Sequence, residues 1–263
     1  MRTAAWPCLL AVALALWHGP ARAEITEVIA RVKPSVVIVG TWRATDSPRF
    51  RMRGTGFVVG DGNLAVTAAH VVAGPLDGAS DNPLELSLML PVRAAGGDFK
   101  RRRAVVLEVD LLHDLALLRF EGDAAPPLSI RDSVLVREGQ SVAFMGFPIG
   151  GMLGFSAVTH RGMISSITQS VLPAQTARLL NEAALRGLRT GAFDLFQLDA
   201  TAYPGNSGSP LFDPVQGDLL GVLSMALIKG TRESALSQPS GISYAIPSRF
   251  VAELIDRARG RGR

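Results

Sequence analysis

The chain has 263 residues, of which 48% are hydrophobic, and its formal net charge is +4. Its single cysteine, Cys8, excludes a disulfide framework, and the mild charge argues against a general affinity for nucleic acids. The apolar content is sufficient for one large domain or for a domain with two lobes.

The first 23 residues have the features of a secretory signal peptide. Arg2 provides a positive start, residues 9–17 form a short apolar run, and residues 21–23 offer small side chains for cleavage. We predict that the exported chain begins at Glu24, contains no thiol, and resides in a periplasm or is secreted. An uncleaved membrane anchor is the alternative, although the run is shorter than the ~20 residues of a spanning helix.

A short amphipathic helix is predicted first, and a series of short strands follows it. Apolar residues at positions 25, 28, 29 and 32 share one helix face, and Pro34 ends the helix. Apolar runs punctuated by glycine and proline then continue along the chain. They lie at residues 35–42, 54–72, 84–90, 103–110, 115–120, 141–147, 155–167, 195–200, 217–228 and 241–247. This pattern indicates an all-β barrel or sandwich.

Three segments stand apart from the strand pattern. The basic run KRRR, residues 100–103, has no interleaved aromatic residues, so we interpret it as a solvated hairpin or loop rather than a nucleic-acid patch. Residues 172–193 predict a partly helical insertion. Residues 248–259 predict a closing helix, with Ser248 as its N-cap and its apolar face at positions 250, 251, 254 and 255.

Ser207 is a candidate nucleophile because glycines surround it. Gly205 and Gly208 permit positive φ values, so the turn can direct the N–H groups of Gly205 and Ser207 at one developing oxyanion. Serine also needs a base, usually a histidine that a carboxylate holds in place. Taken alone, the segment would favour an ordinary glycine turn.

His70 and Asp114 are the candidate base and carboxylate. His70 is predicted at the end of an apolar strand, and Asp114 precedes an apolar run, where a carboxylate needs a hydrogen-bond partner. His113 is a competing base, but neighbours on a strand point to opposite faces, so it is expected to face away. A buried structural histidine at position 70 is the alternative. The scattered histidines predict no metal site, and no cofactor is expected.

Several segments together resemble trypsin-like serine proteases, most closely the protease domain of the bacterial HtrA/Deg type. These segments are GTGFVV, LAVTAAHVV, HDLALLRF, YPGNSGSPLFD, GVLSMAL and GISYAIPS. The resemblance implies two packed six-stranded barrels, over residues 34–125 and 126–247, within one protease domain at residues 24–263. The active site would occupy the cleft between the barrels.

The resemblance also implies a role for each candidate residue. It makes His70 the general base and then acid, Asp114 the group that orients it, and Ser207 the nucleophile. Gly205 and Ser207 would supply the oxyanion-hole N–H groups, and Asn206 would shape the loop. The expected activity is that of a serine endopeptidase that acts on protein or peptide substrates.

A substrate pocket follows from the same resemblance. Thr201, six residues before the nucleophile, would lie at its base, with Ser224, Met225 and Ala226 along its wall. None of these residues is charged, so we predict cleavage after small or medium apolar residues.

The sequence departs from the HtrA pattern at three points. Ser209 replaces the usual glycine, residues 172–193 are long, and no PDZ domain is expected. No histidine follows Ser207, which excludes the order of an α/β-hydrolase triad. We expect no nucleic-acid partner and no stable membrane anchor after signal cleavage, and a homo-oligomer remains open. A latent or inactive protein of protease fold with a binding or chaperone role is the alternative function.

Overall fold

The protein folds into two closed barrels of six antiparallel strands each. The structure is a computed structural model that describes residues 25–73, 84–92, 98–151, 154–170, 193–224 and 241–261. The strands are hydrogen-bonded in the order β1-β2-β3-β6-β5-β4 in the first barrel and β10-β11-β12-β9-β8-β7 in the second. The predicted pair of six-stranded barrels is therefore confirmed.

The strands and helices of the described residues have the following bounds. The first barrel contains β1 (Val36–Trp42), β2 (Phe50–Val59), β3 (Leu64–Ala68), β4 (Glu85–Pro91), β5 (Phe99–Asp110) and β6 (Leu115–Phe120). The second contains β7 (Ser141–Gly146), β8 (Val158–Gln169), β9 (Asp194–Asp199), β10 (Pro210–Phe212), β11 (Leu219–Leu223) and β12 (Ile242–Pro247). The α-helices are α1 (Ile25–Val32), α2 (Ala69–Val72) and α3 (Arg249–Arg261), and 3-10 helices lie at Lys33–Ser35, Ser133–Leu135 and Pro148–Gly151.

Buried side chains form three clusters that follow the barrels. One cluster is drawn from the first barrel and α2, and a second is drawn from the second barrel. The third takes residues from both barrels and from α1 and α3. Strand β1 is buried on both faces: Val36 and Ile38 belong to the shared cluster, whereas Val37 and Val39 belong to that of the first barrel. The shared cluster holds the two barrels together through burial of apolar surface.

The terminal helices pack as their apolar patterns predict. Val28 and Val32 of α1 are buried, and α3 buries its residues 250, 251, 254 and 255. Ser248 lies directly before α3, where an N-cap would lie, but its side chain bonds elsewhere. The Ser248 hydroxyl donates to the carbonyl of Arg131 (2.6 Å), and the hydroxyl of Ser133 accepts from the N–H of Arg249 instead (3.1 Å). The hydroxyl of Ser248 therefore joins α3 to the segment between the barrels.

The basic run lies on a solvated hairpin, which is the first of the two interpretations that the sequence allowed. Residues 100–103 belong to β5, which pairs with β4 as a hairpin. Arg101 donates to Glu85 (2.8 Å) and covers the ring of Trp42, and Arg102 pairs with Asp123 (3.1 Å). These two arginines therefore have acidic partners within the fold.

Two predicted features lie outside the described residues. They are the signal peptide at residues 1–23 and the insertion at residues 172–193, of which only Phe193 is described.

Candidate active site

His70 and Asp114 are brought together by two neighbouring strands of the first barrel. Strand β3 ends at Ala68, which pairs with Leu115 at the start of β6. The sequence predicted His70 at the end of a strand. It lies just beyond that end, on the one-turn helix α2 that follows β3. The N–H of Ala69 donates to the carbonyl of Asp114 (2.9 Å), which ties this helix to the turn before β6.

Asp114 holds His70 through both its carboxylate oxygens. Its backbone is left-handed, with φ of 51°, a conformation that aspartate tolerates better than most residues. Its Oδ1 accepts the N–H of His70 (3.0 Å), and its Oδ2 lies 2.8 Å from His70 Nδ1. Because a carboxylate only accepts hydrogen bonds, this contact places the imidazole proton on Nδ1 and leaves Nε2 free to accept.

Ser207 meets His70 from the turn that precedes β10. Its Oγ lies 2.8 Å from His70 Nε2. Gly208 makes this close approach feasible: its φ is 84°, and a Cβ there would lie 2.1 Å from the carbonyl oxygen of Thr55. The structure thus brings Ser207, His70 and Asp114 into one hydrogen-bonded row.

The turn also presents two free backbone donors beside Ser207. Gly205 has a φ of 103°. Within the described part of the chain, neither the N–H of Gly205 nor that of Ser207 has a hydrogen-bond partner. Asn206, between them, is fully buried, and its side-chain amide has no partner among the described residues either. Two unpaired N–H groups separated by one residue suit the oxygen of a tetrahedral intermediate.

His113 points away from this row, as the sequence predicted. Its Nδ1 lies 2.8 Å from Oδ2 of Asp110, and its ring stacks on Phe250 of α3 with centroids 3.8 Å apart. Burial alone would raise the pKa of Asp110. The hydrogen bonds and charge of His113, with the charge of Arg257, outweigh burial and lower that pKa to about 2.

The residues predicted for the substrate pocket have different positions. Thr201 is half-buried ahead of the turn at residues 204–208, which we call the nucleophile turn after the predicted role of Ser207. Ser224 is almost completely buried, and its hydroxyl donates to Oδ2 of Asp114 (2.5 Å), so its side chain supports the carboxylate; its place along the pocket wall stays a prediction. Met225 and Ala226 lie outside the described residues. This contact of Ser224 escaped the sequence reasoning because it joins positions 110 residues apart.

A third histidine lies in the second barrel. His160 on β8 stacks on Phe144 of β7, with ring centroids 4.7 Å apart, and burial lowers its pKa. Its ring is also near Tyr203, with centroids 6.1 Å apart. His160 contributes no hydrogen bond to the row of Ser207, His70 and Asp114.

The described residues contain neither a cluster of metal ligands nor a membrane-spanning helix. No group of three or more His, Cys, Asp or Glu side chains that could hold a metal ion occurs among them. None of the helices in the same residues is long and apolar enough to cross a membrane.

Comparison with known proteins gives a consistent family. The model of the trypsin-like peptidase domain matches residues 54–222. The chain is 31% identical over 247 residues to serine protease HTRA1A of Danio rerio, covering 90% of this chain and 43% of that protein. It is 30% identical to human serine protease HTRA4 over 244 residues, covering 90% and 42%. A probable periplasmic serine endoprotease, DegP-like, of Halomonas elongata is 29% identical over 212 residues, covering 81% and 36%.

A solved structure shares the fold. The HtrA-type protease AlgW with tripeptide superposes with a TM-score of 0.63 at 22% identity, covering 91% of this chain and 65% of that one. The chain spans less than half the length of the HTRA1A, HTRA4 and DegP-like relatives. The resemblance inferred from the sequence motifs is confirmed by these matches.

Proposed function

This chain belongs to the trypsin-like peptidase family, and from that premise we propose that it is an exported serine endopeptidase that works through an acyl-enzyme. One observation carries the proposal: Oγ of Ser207, the imidazole of His70 and the carboxylate of Asp114 form a continuous row with 2.8 Å contacts. Such a row gives a serine hydroxyl the base that it needs to act as a nucleophile.

Acylation would begin with proton transfer from Ser207 to His70. As Oγ attacks the scissile carbonyl carbon, Nε2 accepts its proton, and the imidazolium is stabilised by the carboxylate of Asp114. The carbonyl oxygen becomes an oxyanion, which the N–H groups of Gly205 and Ser207 bind. His70 then gives the proton to the leaving amine, the C–N bond breaks, and the acyl group stays on Ser207.

Deacylation would repeat these steps with water. Nε2 of His70 accepts a proton from the attacking water, and the ester carbonyl again becomes an oxyanion at the same two N–H groups. Collapse of this intermediate returns the proton from His70 to Oγ of Ser207 and releases the acid product. His70 is accessible enough for this, because its side chain is 33% exposed.

We assign specificity for small or medium apolar residues to the substrate pocket. Thr201 is uncharged and half-buried ahead of the nucleophile turn, which supports this assignment. Peptide p-nitroanilides that end in valine or alanine are the expected substrates. Efficient cleavage of arginine-ending peptides, with none of the valine or alanine peptides, would contradict it.

We assign the protein to a periplasm or the extracellular space. The charge and apolar pattern of residues 1–23 supports this, as does the similarity to a DegP-like relative named as periplasmic. When the full chain is expressed in a Gram-negative host, N-terminal sequencing of the exported protein should begin at Glu24. A protein that remains in the cytoplasm with Met1 intact contradicts the assignment.

The function is tested by labelling the purified protein with a fluorescent fluorophosphonate. The parent should be labelled once, and Ser207→Ala and His70→Ala should each lose the label while they keep the parent's circular dichroism spectrum. Cleavage of the valine peptide should fall in both variants by on the order of 10⁴-fold or more. A folded parent that neither accepts the label nor cleaves peptides contradicts the proposal and indicates a latent or binding protein.

A further inference from the structure

The direction of the Gly205 N–H, the proposed oxyanion donor, depends on how the peptide groups on both sides of Gly205 are held. Gly205 has a φ of 103°, and without a side chain it can adopt several other backbone conformations at little cost. Its N–H is part of the peptide that precedes it, and the backbone conformation of Gly205 is fixed only when the peptide that follows is held as well. Contacts to both peptides therefore decide whether this donor points at the oxyanion.

Backbone groups hold the preceding peptide. The carbonyl of Pro204 accepts from the N–H of Ile149 (2.7 Å) in the 3-10 helix after β7. Because the carbonyl of Pro204 and the N–H of Gly205 belong to one planar peptide, this bond directs that N–H to the opposite side.

A side chain from the other barrel holds the following peptide. The hydroxyl of Thr55, on β2, donates to the carbonyl of Gly205 (2.7 Å) and accepts from the N–H of Phe147 (3.1 Å). The backbone N–H of Thr55 also donates to the carbonyl of Ser207 (2.9 Å). Thr55 is completely buried, so no solvent competes for these bonds.

We propose that Thr55 is a positioning residue for the oxyanion hole, an inference that rests on the proposed peptidase function. Its hydroxyl uses its one donor on the carbonyl of Gly205 and one of its acceptor lone pairs for the N–H of Phe147. Valine has the same shape but would leave the Phe147 N–H and the Gly205 carbonyl unpaired in a buried place. Serine would keep both hydrogen bonds.

The test compares Thr55→Val with Thr55→Ser in the mature protein. For Thr55→Val, kcat on the valine p-nitroanilide should fall about 10- to 100-fold, because an oxyanion donor is displaced rather than removed. KM should stay within about twofold. The inhibition constant of a peptidyl aldehyde, whose adduct carries the same oxyanion, should rise by the same factor as kcat falls. Thr55→Ser should retain parental values.

Ser248→Ala serves as the matched control. It also removes one buried hydroxyl-to-carbonyl bond, but at the start of α3 and away from the nucleophile turn. Its thermal stability should fall while kcat and the aldehyde inhibition constant remain those of the parent. The pH dependence of kcat/KM should be the same in all folded variants, because His70 keeps its partners.

Three results would overturn the role of Thr55. They are a Thr55→Val protein with parental kcat, a loss of kcat without weaker aldehyde binding, or an equal loss in Ser248→Ala. If Thr55→Val does not fold, Thr55→Ala, which introduces no new bulk, takes its place with the same expectations. A parent that accepts no fluorophosphonate contradicts the proposed function itself, whereas a labelled parent beside an equally active Thr55→Val contradicts only this inference.

Discussion

The two barrels contribute to the site in different ways. The first barrel holds its two residues mostly by bonds within itself: the carbonyl and carboxylate of Asp114 bind the backbone of α2 and the ring of His70, and Ser224 of the second barrel adds one bond to that carboxylate. The turn around Ser207 is held by bonds within the second barrel, such as that from the N–H of Gly208 to the carbonyl of Leu223, and also from outside, because Thr55 of the first barrel binds the carbonyls of Gly205 and Ser207. His70 is therefore held mostly by its own barrel, whereas the turn around Ser207 depends in addition on the contact between barrels.

The largest expected effect comes from Asp114→Asn, which tests the local half of this comparison. Asparagine tolerates the same left-handed backbone, so the fold should be kept while the charge and the imidazole tautomer are lost. We expect kcat/KM on the valine peptide to fall on the order of 10⁴-fold, with an unchanged circular dichroism spectrum. A loss of less than tenfold would show that the carboxylate does not orient His70.

Asp110→Asn tests how much stability the first barrel gains from a contact outside it, with the helix α3. Asp110 lies beside the turn of Asp114, pairs with His113 and receives a hydrogen bond from Arg257 of α3 (2.5 Å). Its pKa of about 2, below the ordinary 3.8, means that the carboxylate stabilises the fold above about pH 4 and loses this contribution as the pH falls towards 2. The variant should lower the free energy of unfolding by roughly 2 kcal/mol at neutral pH.

Urea unfolding between pH 7 and pH 2 measures this difference. The gap between parent and variant should close as the pH falls from about 4 towards 2. Asp123→Asn is the matched control, because Asp123 also pairs with an arginine but is exposed; no change in stability is expected. A gap for Asp110→Asn that stays constant down to pH 2 is incompatible with the lowered pKa.

Ser224→Ala breaks a bond that crosses from the second barrel to the first. The hydroxyl donates to Asp114, and hydrogen bonds to charged groups contribute about 1.5–3 kcal/mol. We expect a loss of about tenfold in kcat, smaller than that of Asp114→Asn because the carboxylate remains. Steady-state kinetics on the valine peptide measures it. Parental kcat in the folded variant would mean that Asp114 needs no support from the second barrel.

Ser209→Ala is expected to have the smallest effect. Ser209 stands where the HtrA pattern has glycine, and its buried hydroxyl has no partner among the described residues. Removal of an unpaired hydroxyl should leave kcat unchanged and raise the free energy of unfolding by up to about 1 kcal/mol. Thermal unfolding would detect this. A destabilised variant would show that the hydroxyl has a partner, such as an ordered water molecule.

The sequence predicted those parts of the molecule that depend on neighbours along the chain. Apolar runs of strand length predicted an all-β barrel or sandwich, the family resemblance predicted two six-stranded barrels, and the apolar face of α3 followed from its spacing. The motifs around His70, Asp114 and Ser207 identified the residues that the fold brings together. These features depend on local periodicity or on short motifs with specific backbone requirements.

Contacts between distant segments could not be predicted in the same way. Thr55 lies 150 positions from Gly205, and nothing in the segment GTGFVV indicates that its hydroxyl would cross to the other barrel. Ser224 was assigned to a pocket wall from the family resemblance, and the bond from its hydroxyl to Asp114 was not predicted. Serine is a preferred N-cap residue, yet the hydroxyl of Ser248 donates to the carbonyl of Arg131 in the segment between the barrels. Tertiary partners override local preference at each position.

The hydrogen bonds from Thr55 to the nucleophile turn make the site depend on both barrels. A copy of this chain in which only one barrel has folded holds either a base without a nucleophile or a serine without a base. Its oxyanion donors also lack their clamp until the two barrels dock. Under the proposed function, hydrolysis therefore requires both barrels to be folded and docked, because neither barrel alone holds the complete row of Ser207, His70 and Asp114.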